Sequence, residues 1–529
     1  MRRAQATACL AFASLLSACG GPGRQAQDPA ASDALRVAIT SDIRGLNPGV
    51  TRDGNTDMVL HHVAESLVGS GDDLSVALVL AKSVETSPDH KTYSFRLREG
   101  VRFHNGAPLT AAAVQWSWRR YLDPKTGFRC RSWYDGSDPQ GPGARIVAVE
   151  APDASTVVFR LDRPNAVFLE QMASLQCLTA VLHPDSVDAK GVFVAPIATG
   201  PYRIGRWKRG DYVELERFAG YRPRTEPSNG YGGARVARAA KLRFVIVPEP
   251  TVGEAALRTD DLDIVPRVPL HMAESLRPGD GVEVRRAEQL YWSVLLLQTN
   301  DPLLGDIRIR RALAHAIDAG QVAAIASLGQ SRANPSAIPR ISPFHTPAQD
   351  RWPAYDPAAA RALLKAGGYR GQVLTIQTNR RVPGMFDNAV AIQAMLASVG
   401  VKTKVEVVDW ATQLSNYISG DFQLQTFGYS ARTHPVLSYS SFTGSKARNP
   451  AVQWENPAAR ALLAEAARTA DPEAQQALFD QLHALMAKDV PIIGLYNETG
   501  IDLIRRDVRG YVNSPLGHAR LWGVAKGGD

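Results

Sequence analysis

A hydrolase needs a nucleophile, a base and a group that orients the base, and this chain of 529 residues offers no such set. Neither GxSxG nor HExxH occurs, and the eleven histidines lie without a serine or cysteine motif beside them. His61 and His62 stand side by side but open no zinc-ligand spacing. The four cysteines form no CxxC, and the phosphate loop GxxxxGK followed by Ser or Thr is missing too. Recognition chemistry remains. From Phe422 to Pro435 the chain reads FQLQTFGYSARTHP, an apolar run closing on Tyr429 and followed by Ser430, Ala431, Arg432 and His434. A guanidinium there repels an ammonium and attracts a carboxylate or phosphate, two hydrogen bonds at a time. The bland alternative is a solvated or structural Arg432 paired to a neighbouring acid. His434 is one donor where a transition metal asks for several, so no metal is expected.

The first twenty residues give an address. Arg2 and Arg3 make a basic start, Ala8 to Leu16 is too short to span a bilayer, and Leu16-Ser17-Ala18-Cys19-Gly20 sets small residues where a peptidase must reach the backbone. This resembles a bacterial lipobox, which implies a signal peptide over 1–18, lipid on Cys19 and a flexible tether over 19–33. An ordinary signal peptide that happens to hold a cysteine is the alternative. Cys9 leaves with the signal. Cys130 and Cys177 remain, and an oxidising envelope would let them pair if their Cα atoms approach within ~7 Å. The reading is a periplasmic or extracytoplasmic body anchored to the membrane by lipid.

Bulk properties agree with a globular body. Hydrophobic residues make up 45% and charged residues 21% of the chain. No second apolar run approaches the roughly 18–20 residues of a membrane span. The net charge of +8 is spread among interleaved acids, so with an exported address no nucleic-acid partner is expected. A body of roughly 500 residues asks for two or three domains.

The elements follow from periodicity. Leu35–Ile39, Val84–Thr86, Thr92–Leu97, Ser155–Leu161 and Tyr212–Arg217 read as strands, and Thr56–Leu67 as a helix. Thr110 is placed to cap a helix over Ala111–Leu122. Further on, helical text at 313–328, 358–366, 389–399, 457–468 and 472–488 alternates with strand runs at 374–377, 402–408 and 422–427. That alternation predicts an α/β lobe. Tyr221–Gly233, full of Gly, Pro and Arg, reads as a surface loop.

Five stretches in order carry a resemblance. They are Ala81-Lys82-Ser83 with SPDHKTYSFRLREGVRFHNGAPLTA (Ser87–Ala111); Thr199-Gly200-Pro201-Tyr202 with Trp207 and YVEL (Tyr212–Leu215); DIRIRRALAHAID (Asp306–Asp318); Tyr355-Asp356-Pro357 with Leu363, Leu364 and Gly367 to Tyr369; and PIIGLY (Pro491–Tyr496). Together they resemble the extracytoplasmic solute-binding proteins of family 5, the oligopeptide, dipeptide and nickel class. The resemblance implies an α/β fold: a two-lobed periplasmic-binding-protein clamp of type II, cluster C, with a third domain inserted in the first lobe. On that template lobe 1 takes 34–80, 190–270 and 497–529, the inserted domain II takes 81–189, and lobe 2 takes 271–496. It implies a monomer that captures a peptide or small-molecule ligand for an ABC permease and its ATPase, with no cofactor. Family cargo also includes opines, sugar conjugates, haem and nickel chelates, and a peptide-sensing receptor is a further alternative.

In oligopeptide and dipeptide relatives a strand of the large lobe ends in an aromatic, and an Asp three residues on pairs with the peptide's α-ammonium. Here the resemblance sets Tyr429 at the aromatic and Arg432 at that Asp, although some members carry a similar Ser-x-Arg-x-x-Pro stretch. The exchange shifts the expected ligand toward acidic or non-peptide solutes. Ligand contacts are expected from Tyr429, Ser430, Ala431 and Arg432, from Ser41 and Trp292 on lip strands, from Trp133 in domain II, and from Tyr439 and Tyr496. Buried packing is the alternative for each of these aromatics.

Overall fold

The computed structural model describes residues 34–139, 141–277 and 280–527. Cys19, its signal and the tether therefore lie outside the described residues. Strand β1 (Ala34–Ile39) is followed by helix α1 (Gly54–Val63), whose N-cap Asp53 accepts from the Thr56 amide at 2.9 Å. The helix stops at Val63, short of the expected Leu67, because Ala64 turns extended. Gly200 explains the tight fit there: a Cβ on it would strike the backbone of Val63.

The hairpin β2 (Val68–Ser70) and β3 (Val76–Leu78) leads into a second sheet of β4 (Ala81–Thr86), β5 (Thr92–Leu97), β6 (Ile146–Glu150) and β7 (Thr156–Leu161), ordered β4-β5-β7-β6. Alternation puts Tyr93, Phe95, Val157 and Phe159 on its inner face against helix α2 (Ala111–Leu122). Thr110 caps α2 through its side chain, as expected. Phe103, fully buried, joins this core, a burial that stabilises by about 1.5–3 kcal/mol. Cys130 and Cys177 form a disulfide there, with Cα atoms 5.7 Å apart.

The main sheet adds β8 (Tyr202–Lys208), β9 (Tyr212–Arg217), β10 (Lys241–Ile246), β11 (Ile264–Val265), β12 (Val282–Leu297), β13 (Leu374–Thr378), β14 (Thr403–Val407), β15 (Leu424–Tyr429) and β16 (Ile492–Arg505). With β1 these form one ten-stranded sheet, ordered β14-β13-β15-β12-β16-β11-β1-β10-β9-β8. Strands β12 and β16 serve both lobes. Val282–Glu288 pairs with Arg505–Thr499 on the lobe 1 side, and Trp292–Leu296 pairs with Asn497–Ile492 on the lobe 2 side. The register breaks between Glu288 and Trp292, and the lobes meet at that bulge. Met272, Ala273 and Val282 pack with Ala38, Leu257 and Leu503 in one core.

Lobe 2 is the expected α/β lobe. Helices Ile307–Ala316, Ala319–Ala326, Pro357–Ala366 and Met385–Ser398 cover one face of its sheet, and Pro435–Ser440, Pro457–Ala466 and Pro472–Asp489 the other. The helical run read at 313–328 is two helices, since Ile317 turns extended at the end of one and Asp318 caps the next. Tyr231 and Arg235, at and beyond the end of the expected surface loop, are almost fully buried where the three domains meet. Among the described residues no helix is long and apolar enough to cross a membrane.

Candidate ligand-binding site

Strand β15 is buried along its whole length, and its register places Tyr429 opposite Trp292 of β12. The two rings stack with centroids 6.2 Å apart, and Phe442 and Tyr417 close around Tyr429. Beneath them Gly428 touches Tyr291, whose ring lies where a Cβ would stand. The chain then leaves the sheet as the loop Ser430–His434. Arg432 folds back over this loop: its Nη1 donates to the Ser430 carbonyl (2.8 Å), the Ser430 hydroxyl (2.9 Å) and the Ala431 carbonyl (3.1 Å). Among the described residues its Nε and Nη2 make no hydrogen bond and no carboxylate lies within ion-pair distance, so the structural ion pair weighed for it is not found.

The Arg52–Asp57 pair lies within electrostatic reach of that guanidinium and of Arg129 as well. From lobe 1, Arg52 Nε stands 3.0 Å from Asp57 Oδ2 on α1. From domain II comes Arg129, whose amide donates to the Gly49 carbonyl at 3.2 Å. From lobe 2 comes Arg432 itself. Burial pushes Arg432 down to about 9, and Arg52 adds to the shift while Tyr417, Tyr429 and Asp57 oppose it. It stays charged at neutral pH, partly open to solvent but enclosed by protein on its other sides. Arg129 is lowered by burial and then by Arg52 and Arg44. Asp57 is raised to about 7 by burial, against the pull of Arg52.

The disulfide braces this arrangement. It joins Cys130, next to Arg129, to Cys177, next to Gln176. Gln176 Nε2 donates to the Ala431 carbonyl at 2.8 Å, and Ala431 packs with Leu175, Tyr231, Leu516 and Trp522 from the other two domains. Asp138 of domain II pairs with Arg460 at 3.0 Å and Arg448 at 3.4 Å. Arg381 of lobe 2 donates to the Thr40 carbonyl. The lobes are therefore closed on one another.

Of the residues singled out in the sequence, the structure brings Tyr429, Ser430, Ala431 and Arg432 to this junction. Ser41 lies at its rim, accepting from Asn55 Nδ2 at 2.9 Å beside the Thr40–Arg381 contact. Trp292, Tyr439 and Tyr496 take the packing alternative: they are buried in lobe 2, where Trp292 Nε1 donates to the Asn334 carbonyl and Tyr496 to Asn388. Trp133 rests half-buried on the domain II core. His434 caps a helix and packs on Phe344 and Phe479, and burial pushes it down to about 4. Sequence reasoning missed Arg52, Asp57, Arg129 and Gln176. The available signals were an acid inside the apolar stretch of α1 and the two neighbours of the cysteines.

On the hinge side, Arg267 lies over the Tyr291 ring at 5.1 Å, and its Nη2 is 3.8 Å from Glu498. Burial raises Glu498 to about 7 against that guanidinium. Among the described residues no group of three or more His, Cys, Asp or Glu is placed to hold a metal ion.

Comparison with known proteins agrees with this architecture. The glutathione-binding protein GsiB of Salmonella typhimurium is 25% identical over 496 residues, covering 91% of this chain and 92% of that protein. Among solved structures, the ABC transporter-associated periplasmic binding protein DppA from Helicobacter pylori, in complex with the peptide STSA, has a TM-score of 0.82 at 24% identity, covering 94% of this chain and 98% of the other. The dipeptide binding protein from Pseudoalteromonas sp. SM9913, in complex with Met-Leu, has a TM-score of 0.81 at 22% identity, covering 93% and 100%. The family described as bacterial extracellular solute-binding proteins, family 5 Middle, matches residues 75–451. With two lobes hinged on β12 and β16, and with that match across most of its length, the chain belongs to family 5 of the bacterial extracellular solute-binding proteins.

Proposed function

We propose that this protein is the capture component of an ATP-driven importer, taking a peptide-sized solute with at least one carboxylate between its lobes for delivery to a membrane permease and its ATPase. One observation carries the ligand class. The Arg52–Asp57 pair, 3.0 Å apart, acts electrostatically on both Arg432 and Arg129. Such a set, closed and partly desolvated, favours an anion. Arg432 keeps Nε and Nη2 free to hold a carboxylate bidentately. Glutathione, named in the relative GsiB, is a tripeptide with two carboxylates and one ammonium, and so is a fitting first probe. Binding rather than catalysis is the task, and closure itself is the signal passed on. Lipid on Cys19 would hold the protein near its permease and raise the effective concentration there.

Native mass spectrometry of protein purified without refolding tests this reading. An anionic or acidic peptide-sized ligand should co-purify, and Arg432→Ala should weaken its binding about 10- to 100-fold, as expected for a lost charge-assisted contact. Peptides held equally well by the Arg432→Ala variant would sink it.

A further inference from the structure

We propose that a pocket at the far end of lobe 2, with Lys446 at its floor, is a second binding site, and that it takes a small monocarboxylate. It stands apart from the cleft and does not depend on the reading of Arg432. Strands β12 and β15 pair from Trp292 and Tyr429 at the cleft to Leu297 and Leu424 at the other end. Five residue steps of strand put about 17 Å between those ends. Gln298 follows β12 at the far end, and Phe422 precedes β15 there. With Lys446, Pro450, Asn300 and Asp301 they line a pocket of about 390 Å³.

Lys446 is 6% exposed, and its Nζ donates to Gln298 Oε1 at 2.6 Å. That glutamine is fixed in turn: its Nε2 donates to the Gly420 carbonyl at 2.7 Å, and its Oε1 also accepts from the Asn300 amide at 3.2 Å. An ammonium has three N–H donors, and among the described residues only one of them has a protein acceptor. No carboxylate there lies within ion-pair distance of it. Glu455 accepts from the Lys446 amide at 3.2 Å and acts on the ammonium through space. Arg310, which repels it, is committed to the carbonyls of Leu304, Gly305, Asp489 and Val490. Burial lowers the ammonium to about 8, with Glu455 opposing and Arg310 adding to the shift. An anion at its two remaining donors restores the charged form.

The rest of the pocket narrows the ligand. One cation neutralises one negative charge. Asp301 stands on the wall, its oxygens accepting from the Leu303 and Leu304 amides and from Gln423 Nε2. A second negative charge on the ligand would face that acid, which disfavours phosphate and dicarboxylates. Phe422 and Pro450 supply an apolar side for a short carbon chain. The exposed Asn300 side chain, without a hydrogen bond among the described residues, is a further donor at the rim.

Isothermal titration and saturation-transfer NMR with acetate, butyrate and inorganic phosphate test this on the native protein, Lys446→Met, Lys446→Arg and Arg432→Ala. The native protein should bind butyrate at millimolar concentration, about 2- to 10-fold more tightly than acetate for its two added methylenes, and phosphate more weakly than either. Lys446→Met should weaken butyrate about 10-fold or more, and Lys446→Arg should keep part of the affinity. Arg432→Ala should leave butyrate binding unchanged. At about pH 8.5 butyrate should bring a proton with it in the native protein and none in Lys446→Met, read as a difference in heat between two buffers. Binding that is unchanged in Lys446→Met, or that takes up no proton, would overturn the site. So would loss of binding in Arg432→Ala, which would put the anion in the cleft, or no butyrate binding at all at millimolar concentration. Phosphate held as tightly as butyrate would overturn the ligand class. Thermal melts of each variant confirm that it is folded.

Discussion

Gln176 of the inserted domain donates its Nε2 to the carbonyl of Ala431 across 255 positions of sequence, at 2.8 Å. The bond lands one residue before Arg432. It comes from a loop that the Cys130–Cys177 disulfide ties to the neighbour of Arg129. Two of the three guanidiniums are thus linked through one short covalent path and one hydrogen bond, and that bond exists only while domain II meets lobe 2.

Gln176→Ala should therefore loosen closure without touching either guanidinium. A buried hydrogen bond of this kind contributes about 0.5–1.5 kcal/mol, so affinity for an anionic peptide should fall about 2- to 10-fold. Small-angle scattering of the unliganded variant should show a larger radius than the native protein. An unchanged radius with unchanged affinity would separate Gln176 from closure.

Removing the disulfide should cost stability and binding together. The bond spans 47 positions, and closing a loop of that size typically stabilises by about 2–4 kcal/mol. Cys130→Ala with Cys177→Ala should lower the urea midpoint accordingly. Reductant should shift the native protein toward the variant and leave the variant where it was. A native midpoint indifferent to reductant would contradict this.

Acid should weaken the fold through His62. Its Nδ1 donates to the Met58 carbonyl at 2.8 Å, and its Nε2 accepts from the Leu521 amide at 3.0 Å, a bond that only the neutral ring can accept. Burial pushes this ring down to about 3. Its contribution is full above the unfolded value near 6.5 and is lost as pH falls from there toward 3, at up to about 1.4 kcal/mol per pH unit. Asp57 and Glu498, both raised to about 7 by burial, run the other way: their contribution is full below the ordinary carboxylate range and is lost as pH rises through 7. The informative measurement is a difference. Urea melts at pH 7, 6, 5 and 4 should show a shallower acid loss in His62→Gln than in the native protein, and parallel curves would refute the assignment.

Gly428→Ala should displace Tyr291. The new methyl would stand on that ring, in a strand with no exposed residue. Overpacking of this kind costs typically 1–3 kcal/mol. A lowered melting temperature with weaker ligand binding is expected, because Tyr291 also carries Arg267 over its face. Unchanged melting would mean that the ring swings aside freely.

Local chemistry was readable in the sequence. Alternation gave Thr92–Leu97 and Tyr212–Arg217 with their observed bounds, and the hydroxyl of Thr110 marked the start of α2. The helix–strand alternation of lobe 2 and the loop carrying Arg432 were legible for the same reason: each depends on neighbours in the chain. Trp292, Tyr439 and Tyr496 show where this stops. A strand's period of two divides side chains into two faces without saying which face is wet, and Trp292 on β12 and Tyr496 on β16 face packed protein, as does Tyr439 from the helix Pro435–Ser440. Arg52, Asp57, Arg129 and Gln176 were hidden because nothing near any of them names its partners. They meet through the return of the chain from an inserted domain and through a closure that brings lobe 2 onto both.

Strand β16 lies between β12 and β11 and is the bond line of the whole sheet. Without it the ten strands fall into a four-stranded and a five-stranded piece. Yet residues 492–505 are synthesised after every other strand of that sheet. Strand β1, made first of the described strands, must wait for β10 and then for the neighbourhood of β16 before its own layer is complete. Neither lobe can mature ahead of the other, and contacts so distant in sequence make for slow folding. The two jaws of the clamp are thus born together, late, from one shared seam. A nascent or truncated chain lacking that seam would expose both halves of the sheet at once to proteases and to sticking.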